Sequence, residues 1–151
     1  MMIRTALVFC AFAALVSGAE HLAGNWKLNS AKSKYVGMPA PKEQTVTYTA
    51  QGAGWKYDAK GTSAAGQPIN TTFVYVKDGA DAVIAGFPYA DAIVLKDGNA
   101  DTSIATFKRQ GKVIGNAKRL IAKDGKTMTI TGEVTQADGK KGTYTAVYEK
   151  Q

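Results

Sequence analysis

The residues able to carry chemistry are few. His21 is the only histidine and Cys10 the only cysteine among 151 residues. Nucleophilic catalysis needs a hydroxyl or thiol beside a base that takes its proton. His21 stands close to the start of the chain, so a Ser/His arrangement is not expected. No His or Cys cluster has metal-ligand spacing, and the acidic residues are dispersed and mostly in turns, unlike a calcium loop. No metal and no cofactor is therefore expected. The glycines fall at turn positions, where positive φ is needed, and none forms a phosphate-cradling loop. Asp58, Asp91 and Glu133 could do acid–base work if they pointed inward together. Asp91 is the most interesting, set between Phe87-Pro88-Tyr89 and Ile93-Val94-Leu95. The plainer reading makes it a solvent-facing residue at a strand start. No enzymatic activity is expected.

What remains is a set of residues suited to binding. Trp55, Tyr57, Phe73, Tyr75, Phe87, Tyr89, Phe107, Tyr144 and Tyr148 are spread along most of the chain. In a closed barrel the inward ones line one cavity, and ligand pockets are mostly apolar with a few orienting polar groups. The competing reading is that they fill the interior, since a barrel of about eight strands can be packed solid. The expected function is an exported barrel that binds or carries a small apolar or amphipathic molecule. The alternative is a filled barrel serving as an envelope interaction module through its surface.

The elements that must position these side chains are strands. Turn signals recur at Gln51-Gly52, Asp78-Gly79, Asp97-Gly98, Gln110-Gly111, Asp124-Gly125 and Asp138-Gly139. Asp-Gly favours short hairpins because both central residues can take positive φ. Between them lie runs rich in Thr, Val, Ile and Tyr, which suit a pleated, half-buried surface. No segment carries a sustained helical stripe. The reading places strands at 24–29, 43–51, 54–61, 68–77, 81–85, 89–96, 100–110, 112–122, 126–135 and 142–150. Met128, Ile130 and Val134 share one face, as do Tyr144, Ala146 and Tyr148. In 68–77 apolar groups occupy both faces, Ile69, Phe73 and Tyr75 on one and Val74 and Val76 on the other. That pattern reads as a wall that packs on one side and lines a cavity on the other. Ser30–Lys42 is one long connection, in which Ser30 could cap a single helical turn before Gly37, Pro39 and Pro41 forbid more. A meander of this length leaves two open edges unless it closes. The expected fold is all-β, a single antiparallel up-and-down barrel of about 8–10 strands.

Residues 1–19 differ from the rest. Arg4 precedes the apolar run ALVFCAFAALV, and Ser17-Gly18-Ala19 sets small residues at the −3 and −1 positions of a cleavage site. This is the layout of a secretory signal, too short for a stable bilayer anchor. The expectation is a signal peptide at 1–19, one domain at 20–151, and a periplasmic or extracellular location. Cys10 leaves with the leader, so the mature chain is held by its core without disulfides. The formal charge is +7 for the whole chain. The excess is concentrated in the C-terminal half, as single lysines beside turns. A basic face attracts anionic partners, but the spacing reads as a solvated surface, and nucleic acid is not an expected partner.

Gly24-Asn25-Trp26 resembles the G-x-W that opens lipocalins and related calycins, and the length and strand rhythm match. That resemblance implies a Trp closing one barrel end under a basic side chain. Gly24, Trp26 and Arg119 are then the barrel-floor residues, with Arg109 the other arginine available and Arg119 favoured because it lies within a strand. GNWKLN followed by AKSKY, FKRQGKV, DGKTMTI and the final VYEKQ is similar to a group of exported bacterial proteins with a lipocalin-like domain. The ending Thr145-Ala146-Val147-Tyr148-Glu149-Lys150 also resembles that of fatty-acid-binding proteins. Ala146 stands where that family's carboxylate-binding Arg would be, so that clamp does not carry over.

Overall fold

A computed structural model describes residues 19–76, 79–99 and 101–151. The expected leader, apart from Ala19, lies outside the described residues, as do Lys77 at the end of one expected strand, Asp78 in the turn after it and Ala100 at the start of another strand. Among the described residues, no helix is long and apolar enough to cross a membrane.

The described residues begin with one helical turn, α1 (Ala19–Leu22), and then run through eleven strands. These are β1 (Gly24–Leu28), β2 (Lys34–Val36), β3 (Glu43–Gln51), β4 (Gly54–Thr62), β5 (Pro68–Val76) and β6 (Ala82–Val83). They continue as β7 (Ala92–Asp97), β8 (Thr102–Arg109), β9 (Lys112–Ile121), β10 (Thr127–Thr135) and β11 (Lys141–Lys150). The strands form one antiparallel sheet in the order β5-β4-β3-β1-β11-β10-β9-β8-β7-β6, with β2 paired to β11. The first strand thus pairs with the last: Trp26 lies opposite Lys150 and Leu28 opposite Tyr148. The two ends of the sheet meet where Thr72 and Ala85 exchange N–H···O bonds of 3.0 Å in both directions. The result is a nearly closed barrel.

The seam depends on one glycine. Gly86 has φ +75°, and a side chain there would run into the carbonyl of Asn70 on β5. Its own carbonyl accepts a hydrogen bond from the Thr71 hydroxyl at 3.0 Å. Gly86→Ala combines a left-handed backbone with a backbone collision, and a loss of about 2 kcal/mol or more is expected. Urea unfolding gives the loss. Faster hydrogen exchange at the Thr72 and Ala85 amides, ahead of the other strands, would localise it to the seam.

Period-two alternation explains the walls. Met128 and Val134 on β10, and Ala146 and Tyr148 on β11, are buried inward. Val74 and Val76, read as one side of a two-sided wall, are instead exposed to solvent, 43% and 51%. The core and the cavity both lie against the inner face, so the outer face of β5 has nothing to pack on. The expected connection at Ser30–Lys42 contains a 3₁₀ turn at Ser30–Lys32 and the strand β2. Its cap is Asn29, whose side chain accepts from the Lys32 amide, and not Ser30. The apolar rhythm of so short a strand is invisible against Gly37 and Pro39; pairing to β11 makes it.

Candidate ligand-binding cavity

The barrel ends differ. At one end lie α1, the hairpin turns 51–54, 97–102 and 121–127, and the C-terminus of β11. This end is sealed by side chains. Trp26 is fully buried, and its Nε1–H donates to the Leu22 carbonyl at 3.0 Å. Gly24, at φ +120°, lets the chain turn between α1 and β1 so that the indole reaches back four residues. Lys150 Nζ sits 5.1 Å from the Trp26 ring centroid and donates to the His21 carbonyl at 2.8 Å. The cation over the floor indole is therefore Lys150, neither Arg119 nor Arg109. The reason is register: pairing of the first strand with the last sets Lys150 directly beside Trp26. His21 itself reaches Asp101 at 3.2 Å, pinning α1 to the turn before β8.

The other end opens onto a cavity of about 450 Å³. Its rim comes from the connection before β3 (Tyr35, Met38, Pro39, Pro41), the β4–β5 turn (Ser63, Ala64) and the segment Gly86–Tyr89. Arg109 ties this rim together, its Nη1 donating to the carbonyls of Tyr89 at 3.0 Å and Thr135 at 3.3 Å. The interior is thus hollow near its mouth and packed near its floor. Space exists because small side chains face each other: Ala105 on β8 is the register partner of Ala117 on β9, and both line the cavity.

Seven of the aromatic residues singled out by sequence line this space: Tyr57, Phe73, Phe87, Tyr89, Phe107, Tyr144 and Tyr148. Trp55 and Tyr75 do not. They are register partners on β4 and β5, next to the sealed end, and are buried in the packed part of the core. Tyr35, Tyr48, Gln44 and Ser103 also line the cavity and were not singled out. Strict alternation along β3, with Gln44, Val46 and Tyr48 on one face, was the available signal for two of them. The walls are partly flat. Tyr57 stacks on Phe73 with centroids 4.5 Å apart and planes 15° from parallel, and Phe87 lies 5.6 Å from Phe107. Burial pushes the phenols of Tyr57 and Tyr148 well above the ordinary tyrosine value, and that of Tyr35 up to about 12. The exposed part of Tyr57 faces the cavity, which is why it is surrounded by protein yet only half-buried.

Among the described residues one charged side chain lines the cavity, Arg119, 5% exposed. Cα pairing sets Asp97, Ser103 and Arg119 abreast on β7, β8 and β9. The guanidinium carbon lies 5.2 Å from the Tyr48 ring centroid. Nη1 donates to the Tyr75 hydroxyl at 3.4 Å, and Nη2 is 3.7 Å from Asp97 Oδ1. Asp97 Oδ1 and Arg119 Nε are buried with no hydrogen-bond partner among the described residues. Ser103, 1% exposed, completes this polar patch.

The three carboxylates considered for acid–base work do not line the cavity. Asp58 pairs with Lys56 at 3.3 Å on the outer wall, and Asp91 caps the β8–β9 turn by accepting from the Gln110 amide at 2.9 Å. Glu133 is not among the residues that line it. No group of three or more metal-ligating side chains occurs among the described residues.

No protein-family model matches this chain, and no curated protein matches it. Among solved structures, the S-type phycobiliprotein lyase CPES from Guillardia theta superposes with a TM-score of 0.57. The match covers 88% of this chain and 90% of that one at 12% identity. The redesigned β-barrel mFAP1, bound to DFHBI, gives a TM-score of 0.43 at 14% identity over 89% of this chain and 99% of that one. A fluorescence-activating β-barrel designed de novo gives 0.41 at 14% identity over 91% of this chain and 100% of that one. What this chain shares with the lyase at such identity is the barrel fold.

Proposed function

We propose that this lipocalin-like barrel binds or carries a small apolar or amphipathic molecule in its interior. The observation that carries the reading is the cavity of about 450 Å³, walled by aromatic and aliphatic side chains around the Arg119 guanidinium. Its volume falls within the range of ordinary ligand pockets, about 300–1,000 Å³. The proposed location is exported, periplasmic or extracellular, and rests on the secretory layout of residues 1–19 and on the resemblance to exported lipocalin-like proteins. A binding role without a catalytic step fits the placement of Asp58, Asp91 and Glu133 away from the cavity.

The cavity can be filled to test this. Ala117→Phe adds a ring where Ala105 and Ala117 face each other across β8 and β9. Binding of the uncharged dye Nile red to the wild-type protein is expected to weaken at least tenfold in this variant, with the β-sheet circular dichroism retained. Equal dye affinity in both proteins would place the binding elsewhere and sink the reading. Native mass spectrometry of protein purified from its own host is expected to show a bound adduct. Its absence, together with a wild-type protein that takes up no Nile red, would also overturn the reading.

A further inference from the structure

We propose that the cavity selects an uncharged, flat, conjugated carbonyl compound, a ketone or quinone rather than a carboxylic acid, with its oxygen on the Arg119 guanidinium. This rests on the reading of the cavity as a ligand site and names the class of molecule it takes.

The polar pole of the cavity is an excess of donors. A guanidinium carries five N–H groups and no acceptor. Among the described residues Arg119 makes only one hydrogen bond, the 3.4 Å contact to Tyr75. The Tyr35 and Tyr57 hydroxyls, on the same cavity, can donate or accept, so they leave the choice of ligand oxygen to Arg119. Gln44, an acceptor of the lining, is already taken by the Tyr148 hydroxyl at 2.6 Å. A ligand oxygen that accepts is what this surface lacks.

Charge decides which oxygen. The guanidinium already faces the Asp97 carboxylate, 3.7 Å from Nη2, with that oxygen buried. Together they are neutral. A carboxylate entering beside Arg119 would bring a second anion close to Asp97 with one guanidinium to balance both, and unbalanced charge away from bulk water is expensive. Among the described residues no other cation lines the cavity to offset it. A carbonyl oxygen satisfies the N–H groups without adding charge. The body of the ligand is set by the walls. The near-parallel Tyr57–Phe73 stack and the Phe87–Phe107 pair present ring faces and edges, which prefer another flat π-system to a flexible chain.

Three probes of one skeleton separate the terms: 2-acetylanthracene, anthracene-2-carboxylate and 2-ethylanthracene, titrated at pH 7 with Trp quenching and calorimetry as readouts. The ketone is expected to bind wild-type protein at least tenfold tighter than the carboxylate and several-fold tighter than the hydrocarbon. Asp97→Asn frees the charge of Arg119, so the carboxylate is expected to gain at least tenfold and overtake the ketone. The double variant Arg119→Met with Asp97→Asn removes both charges together, avoiding a lone buried anion. In it the ketone should fall to the affinity of the hydrocarbon. A carboxylate that binds wild-type protein as tightly as the ketone overturns the proposal. So does a ketone no tighter than the hydrocarbon; in both cases the cavity reading stands, because the probes still bind. If none of the three binds, the cavity reading falls with it.

Discussion

Trp26→Ala is expected to remove about 3–5 kcal/mol of stability, the range for truncating a large buried aromatic. A domain of this size has about 5–15 kcal/mol in total, so the variant should be close to unfolding at ordinary temperature. Three losses combine. The indole is fully buried, so its removal opens a hole at the sealed end. The Leu22 carbonyl loses its donor at 3.0 Å, which releases α1 from β1. Lys150 loses the ring face beneath it, a contact worth about 1 kcal/mol. Two controls divide these terms. Trp26→Phe keeps an aromatic body and should cost less than half as much, whereas Lys150→Met should cost about 1 kcal/mol. Urea unfolding followed by circular dichroism gives all three values, and Trp55 remains as a fluorescence reporter. A loss below about 1 kcal/mol for Trp26→Ala would mean that the indole does not seal the barrel.

The second large effect is alkaline unfolding. Tyr75 is 1% exposed, and burial pushes its phenol up to about 12 although Arg119 pulls the other way. Burial moves Tyr57 and Tyr148 in the same direction. In the unfolded chain a phenol ionises near pH 10. Because the folded values are raised, the folded state holds these protons longer. Their contribution is fully present below about pH 10 and is lost as pH rises through about 12 and beyond. For Tyr75 the rise from about 10 to about 12 corresponds to about 3 kcal/mol once both states are past their titration. The expected result is cooperative unfolding between about pH 10 and 12, with tyrosinate absorbance rising as the β-sheet signal is lost. Tyr75→Phe should move that midpoint upward by removing one group that must be ionised. If the tyrosines titrate near pH 10 while the barrel stays folded, they are in contact with bulk water and the interior is not closed around them.

Much of the architecture was legible because a strand's alternation is local. Met128, Ile130 and Val134 declare a face by themselves, as do Tyr144, Ala146 and Tyr148, and Gly-containing turns mark where each run ends. The burial of Trp26 came instead from the resemblance of Gly24-Asn25-Trp26 to the lipocalin opening, to which the large apolar area of an indole adds physical support. The cavity aromatics were legible as a set of inward residues, though not individually. Trp55 and Tyr75 alternate as the others do, yet their height along the barrel puts them in packed core rather than on the cavity wall. Alternation says which side a residue faces and nothing about how far along the axis it lies.

The chain's own sequence thus determined that it would form hairpins, which faces would be apolar, and that closure would leave no long open edge. The tertiary structure decided everything that depends on strands distant in the chain: Lys150 rather than an arginine over Trp26, the seam at Thr72 and Ala85, and the meeting of Asp97, Ser103 and Arg119 at the base of the cavity. The physical reason is that alternation and turn chemistry act over a few residues. Register between the first and last strands is chosen only when the sheet curls and the whole set of pairings is satisfied together.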